Sequence, residues 1–223
     1  MVRKKEKREK TEMIFLIIIL LILFITIGIF LVKFIKLKKN VENFEYFEYD
    51  GFKYYIENYG NLTFYHTKFY FHEKNLTFDL YLRNDPRTNN IPLNIERLKV
   101  INPVTYIAID KNFDEKNCTE LIISSYSLGI FISPITVVES AIYYENYSLP
   151  TYKNLLVIKN ISFSEENNVT LIILKYGEEK KVENINNTII IQSEYCQILQ
   201  PTEKFILFLV NRLKKNKYIL PIV

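Results

Sequence analysis

The sequence predicts an α+β or mixed α/β fold, with an N-terminal transmembrane helix followed by a strand-rich domain that carries about two helices packed on a sheet. Three observations predict it. Met13 to Val32 is a run of twenty residues without a charge. Seven later segments are rich in Ile, Val, Tyr and Phe and bounded by turn residues, as strands are. Two stretches, one beginning at Thr119 and one near Pro201, carry the start and stop signals of helices.

The apolar run comes first. At about 1.5 Å per residue it matches a hydrocarbon core of roughly 30 Å. A cleaved signal peptide would have an apolar region of only about 7–15 residues ending in small residues. Here the run ends in "KFIKLKKN", so an uncleaved anchor is expected. Six Lys/Arg precede it and four Lys follow it. That asymmetry favours a cytoplasmic N-terminus under the positive-inside rule. The expected organisation is a basic cytoplasmic tail over 1–12, a transmembrane helix over 13–32, a juxtamembrane stalk over 33–60 and an extracytoplasmic domain over 61–223. Membrane lipid is the partner expected for 13–32.

Charge follows the same division. Residues 1–40 hold ten Lys/Arg against three acids, whereas 41–223 hold nineteen against twenty-two. The overall charge of +4 therefore belongs to the flanks of the apolar run. No basic patch interleaved with aromatics occurs, which argues against a nucleic-acid partner.

Seven asparagines begin N-x-S/T: Asn61, Asn75, Asn117, Asn146, Asn160, Asn168 and Asn186. With 22 Asn and 22 Ser plus Thr, chance supplies about two such triplets. All seven follow the apolar run, as expected for a glycosylated external domain. The competing explanation is that a β-rich chain places Asn near Thr for structural reasons. A second uncharged stretch, Leu121 to Val138, has the length of another span. Its serines and Pro134 favour a buried helix running into a strand.

Along the domain, "NLTFYHTKFYF" and "NLTFDLYLR" flank "HEKN" and predict a hairpin. "NDPRTNNIP" is turn chemistry. "VTYIAID" predicts a strand, Thr119 to about Phe131 a helix, and "TVVESAIYY", "NLLVIKNI", "NVTLIILKY" and "NTIIIQSEY" four further strands. "PTEKFILFLVNRLKKN" predicts a closing helix with Pro201 in its first turn and basic residues in its last.

Cys118 and Cys196 are the only cysteines, and each is expected between a strand and a helix. Three readings stay open: a disulfide at one edge of the sheet, two buried thiols, or a thiolate activated at a helix N-terminus. The last lacks both a C-x-x-C and a nearby histidine. His66 and His72, six residues apart on one strand, would stand about 20 Å apart, too far to share a metal; no metal or cofactor is expected. Arg83, Asp85 and Arg87 could clamp a carboxylate or a sugar acid, against the plainer reading of a turn capped by Asp85. Asp79 and Asp110 are candidates for a paired-carboxylate hydrolytic site, since Asp110 ends a strand where α/β sheets bind ligands.

The anchor, "LYLRNDPR", "YIAID…NCTE" and a late Cys followed by an amphipathic helix together resemble membrane-anchored archaeal proteins of unknown function. The resemblance spans roughly residues 60–212 and implies no catalytic residue. The expected role is structural, adhesive or in assembly with other proteins of a cell envelope. The alternatives are a hydrolytic ectoenzyme using Asp85 and Asp110, or a thiol-disulfide protein.

Overall fold

Two sheets face each other across a layer of helices. The computed structural model describes residues 23–28, 30, 45–95, 102–113, 118–144, 156–158 and 160–222. Met1–Glu45 and Tyr46–Val223 are separate units. In the first, residues 23–28 and 30 are helical.

Sheet A is an antiparallel meander. β1 (Tyr46–Tyr49), β2 (Phe52–Tyr59), β3 (Leu62–Phe71) and β4 (Leu76–Leu82) pair in sequence. β12 (Ile219–Pro221) continues the β2 side of β3, pairing with Phe69–Phe71. Turn chemistry sets the register. Gly51 and Gly60 take φ of 72° and 62°, conformations open to glycine at no steric cost, and Asp50 and Asn75 take φ of 52° and 51°.

Sheet B is mixed and runs β5-β10-β11-β9-β6-β7-β8. Its members are β5 (Leu93–Asn94), β6 (Val104–Asp110), β7 (Val137–Tyr143), β8 (Leu156–Ile158), β9 (Thr170–Tyr176), β10 (Lys181–Ile185) and β11 (Thr188–Ser193). Only the β10–β11 hairpin is antiparallel; every other neighbouring pair is parallel. The central strands are accordingly apolar on both faces, β9 most of all.

Helix α1 (Thr119–Ile132) links β6 to β7, and the single turn α2 (Phe163–Glu166) precedes β9. Helix α3 (Leu199–Lys215) links β11 to β12 and so joins the two sheets. Glu120 sits in the first turn of α1, and Arg212, Lys214 and Lys215 in the last turn of α3, each complementing the helix dipole. Pro134 stops α1 just beyond its C-cap.

The main core lies between the sheets. Phe52, Phe69 and Phe78 of sheet A meet Leu128 and Phe131 of α1, Phe205 and Leu209 of α3, and Ile172 and Ile191 of sheet B. Phe131 packs edge-on against both Phe69 and Phe78. A smaller core on the far face of sheet B gathers Ala108, Tyr143, Leu171 and Ile173, with Phe163 of α2 against Tyr106.

Three expectations are corrected. Among the described residues no helix is long and apolar enough to cross a membrane. Of the segment 13–32, residues 23–28 and 30 are helical and the rest lies outside the described residues. The domain is built on two sheets, with helices between them and one turn outside, rather than on a single sheet carrying two helices. Residues 46–59, within the segment read as stalk, form β1 and β2. Their aromatics bury one side: Phe52 and Tyr54 are fully enclosed.

Candidate functional site

Sheet A has an inner face of Phe52, Tyr54, Phe69, Phe78 and Leu80, and an outer face that the alternation of a pleated strand makes polar and aromatic. On that outer face one row of rings crosses the meander. Tyr46 opposes Tyr55, Tyr55 opposes His66, and His66 opposes Tyr81. The ring centroids are 6.2, 6.4 and 4.2 Å apart along the row, and the last pair is stacked within 7° of parallel.

His66, within this row, is buried. Its Nδ1 lies 2.7 Å from Glu57 Oε1 and its Nε2 2.7 Å from Asp79 Oδ1. Each ring nitrogen thus faces a carboxylate oxygen, and the imidazole bridges Glu57 on β2 to Asp79 on β4. The chain of contacts extends at both ends. Tyr59 Oη donates to Glu57 Oε2 at 2.8 Å, and Lys68 Nζ lies 3.2 Å from Asp79 Oδ1. Burial works to raise the Asp79 carboxyl, but the hydrogen bonds and charges of His66 and Lys68 outweigh it and hold it below its ordinary value. The Tyr59 hydroxyl is pushed up by its bond to Glu57.

Cations lie over the surrounding rings. Lys53 Nζ sits 3.9 Å above Tyr46, and the Arg83 guanidinium 5.2 Å from Phe64. Tyr46, Tyr59 and Tyr81 remain exposed. The face therefore combines fixed donors and acceptors with accessible aromatic rings. Groups of these kinds suit stacking and hydrogen bonding.

Of the residues singled out from sequence, His66 and Asp79 lie on this face and Arg83 at its margin; the others fall elsewhere. Asp85 opens a turn in which Thr88 N–H bonds the Asp85 carbonyl. Its carboxylate takes the Arg87 backbone N–H and a two-pronged contact from the Arg87 guanidinium, at 2.6 Å for Nη2. That contact pulls the Asp85 carboxyl down. Arg87 also lies 3.8 Å over Phe47. Asp85 and Arg87 are thus paired with each other, while Arg83 lies over Phe64.

Asp110 is buried at the carboxyl end of β6. That is the switch point of sheet B, since β7 follows on one side and β9 lies on the other. Both carboxylate oxygens are engaged by backbone: Oδ1 by Asn112 N–H and Oδ2 by Tyr176 N–H. Asp110 therefore ties β6 to β9. Asp79 and Asp110 belong to different sheets and to different partners.

Cys118 and Cys196 lie at disulfide distance, with Cα atoms 5.0 Å apart. Their strands, β6 and β11, are parallel but not neighbours; β9 runs between them. The link ties the N-cap of α1 to the entry of α3. Alongside it, Glu120 accepts the N–H of Leu199 at 3.2 Å. Among the described residues no group of three or more His, Cys, Asp or Glu side chains could hold a metal ion. His72 lies beyond the end of β3, where its backbone N–H bonds Tyr218.

Five sequon asparagines are described: Asn61, Asn75, Asn160, Asn168 and Asn186, all exposed and all in turns or loops. Asn117 and Asn146 lie outside the described residues. Asn168 and Asn186 lie at the amino edge of sheet B, just before β9 and β11, where Ser164 bonds Thr188. That edge is opposite to the one holding Asp110 and the cysteines. Glu57 and Glu203 carry no motif and were not anticipated. The signal for Glu57 was its place on β2 opposite a histidine strand, legible only once the register is known.

Comparison with family models, with curated proteins and with solved structures yields no match for this chain.

Proposed function

We propose that the domain of residues 46–223 is an extracytoplasmic binding module, with a role in adhesion or assembly at a cell envelope, and that it meets its partner through the outer face of sheet A. The observation that carries this reading is the row Tyr46–Tyr55–His66–Tyr81, held at His66 by Glu57 and Asp79. Rings held in this way present contact area at low cost in conformational entropy. The cysteine pair supports a location outside the reducing cytosol, where such links form and persist. Glycans on the exposed sequons, Asn61 and Asn160 among them, would suit the same location.

The hydrolytic reading finds its acids engaged: Asp85 by Arg87 and Asp110 by two backbone N–H groups. The thiol-disulfide reading rests on Cys196 alone, which is half-buried, since Cys118 is buried.

The test is co-sedimentation of the purified full chain with isolated envelopes of its source cells. Tyr59→Ala and Tyr81→Ala should each weaken binding at least fivefold, while Tyr195→Ala, exposed elsewhere, should not. Equal binding by all three variants would overturn the assignment of this face.

A further inference from the structure

β4 is an edge of sheet A, and among the described residues β3 is its one strand partner. Other strands at the ends of the two sheets are short: β1 has four residues, β5 two and β8 three, while β12 has three and ends in Pro221. Short edges, lysines and prolines are ordinary means of keeping foreign strands away. β4 uses none of them. It runs for seven residues, Leu76 to Leu82, in one-to-one register with β3 and without Pro, Gly, Lys or a bulge.

The ladder fixes which of its backbone groups face outward. Ile222 N–H bonds the Lys68 carbonyl from the β12 side. Backbone groups alternate in side along a strand, so those of Thr67 and Phe69 turn the other way, toward Leu80 and Phe78. Thr77, Asp79 and Tyr81 therefore direct their N–H and C=O groups away from β3. Among the described residues none bonds those groups. The next donor in the row, Arg83 N–H, is already taken by Glu203.

The side chains of the same three residues are exposed on the outer face. The Tyr81 ring lies 4.2 Å from His66 on the neighbouring strand and within 7° of parallel, so its other side points past the edge. Asp79 gives Oδ1 to both His66 and Lys68, while Oδ2 takes no hydrogen bond among the described residues.

We infer that the partner at the outer face of sheet A is a polypeptide added in extended form along β4, with Arg or Lys opposite Asp79 and a planar side chain against Tyr81. The inference deepens the proposed role of that face and rests on it. Donor and acceptor recur at every second residue, about 6.8 Å apart, which is the period of another strand, and strand addition satisfies the row along its whole length. The outward oxygen of Asp79 selects a basic residue by charge. A sugar would call for open ring faces, but His66 and Tyr81 cover each other and Lys53 lies over Tyr46. A second copy is disfavoured as well. Pairing two β4 edges about a dyad over all three residues sets Asp79 against Asp79, and like charges directly opposite repel.

Fluorescence anisotropy of the full chain with the labelled peptide Val-Tyr-Val-Arg-Val-Thr-Val tests it. N-methylation of the peptide's Tyr, Arg and Thr, whose N–H groups would face β4, should weaken binding at least tenfold. N-methylation of its two inner Val residues should change it less than twofold. Thr77→Pro removes an outward donor and no bond to β3, and should weaken the peptide severalfold with little change in the circular dichroism melt. Tyr81→Ala should weaken it at least fivefold. Equal binding by the two N-methylated peptides, or no binding of the parent peptide up to about 1 mM, would overturn the inference. Loss of binding in Tyr81→Ala with indifference to both N-methylations would keep the outer face as the site and overturn the added strand. The reverse, alternation in the peptide with envelope binding unmoved by Tyr59→Ala and Tyr81→Ala, would support strand addition and overturn the wider face.

Discussion

Glu203 holds Asn84 by both of its N–H groups: the backbone N–H at 2.9 Å and the side-chain amide at 2.7 Å, while Arg83 N–H binds the other oxygen at 2.6 Å. The carboxylate comes from the second turn of α3 and is buried. With Asn89 Nδ2 on the Gln200 carbonyl and Lys204 Nζ on the Asn89 carbonyl, it fastens the 83–89 loop to the helix. Arg83 is thereby placed beside Phe64, at the margin of the outer face of sheet A.

That contact makes stability depend on pH. Burial pushes the Glu203 carboxyl up from 4.5 to about 7, against the pull of the hydrogen bonds from Arg83 and Asn84. An acid with a raised folded pKa binds its proton more tightly when folded, so its contribution is full below 4.5 and is lost as pH rises through about 7. Urea midpoints should therefore fall between pH 4.5 and 7 and level off above. Glu203→Gln should remove this slope and cost about 1–3 kcal/mol, since its amide sets donors against donors. An unchanged slope in the variant would assign the pH dependence to another group.

The His66 bridge makes a second pH prediction, of opposite sign. Asp79 is held below its ordinary value of 3.8 by His66 and Lys68 in spite of its burial. Its contribution is present above that value and lost as pH falls through the folded pKa. His66→Gln should raise the Asp79 pKa toward the ordinary value, read directly from the carboxyl carbon shift in NMR titration. Lys68→Met should raise it less, because that partner is half exposed and screened by water.

The Cys118–Cys196 link closes a loop of 78 residues, worth about 4 kcal/mol in the chain-entropy account. The double variant Cys118→Ala/Cys196→Ala should lose stability of that order, and reducing agent should lower the melting point of the parent but not of the variant. Equal stability of parent and variant would mean that the Glu120–Leu199 contact and the core hold the two helix entries together without the bond.

Much of this architecture could be read from side-chain period alone. Leu76, Phe78, Leu80 and Leu82 alternate with polar residues and form β4, and the uncharged stretch from Leu121 divides at Pro134 into α1 and β7. Elements with few residues could not be read: β5 has two, β12 three and α2 four. β10 was hidden by the polarity of "KVENI", only one of whose side chains is buried. Residues 46–59 misled because aromatic-acidic alternation suits both a headgroup stalk and a half-buried hairpin. The site was least legible of all. Glu57, His66 and Asp79 come from three strands, and Glu203 is about 120 residues from its partners.

The sequon excess has a backbone cause for part of its number. Asn75, Asn168 and Asn186 take φ of 51°, 51° and 56°, the left-handed region that asparagine tolerates better than most residues. Each is followed two residues later by a threonine in a strand: Thr77 in β4, Thr170 opening β9 and Thr188 opening β11. Turn chemistry followed by β-branched strand chemistry writes N-x-T without any glycan. At these three sites Asn→Ala should cost about 1 kcal/mol and Asn→Gly close to nothing, measured by urea unfolding of protein made without glycosylation. Asn61 is absent from this left-handed set, because Gly60 takes the positive φ of its hairpin. Asn61→Gln should therefore stay within about 0.5 kcal/mol of the parent, which makes it the sequon whose loss, followed by mass spectrometry of the native protein, reports on a glycan alone. A large destabilisation at Asn61 would place it with the other three and leave turn geometry as the common cause.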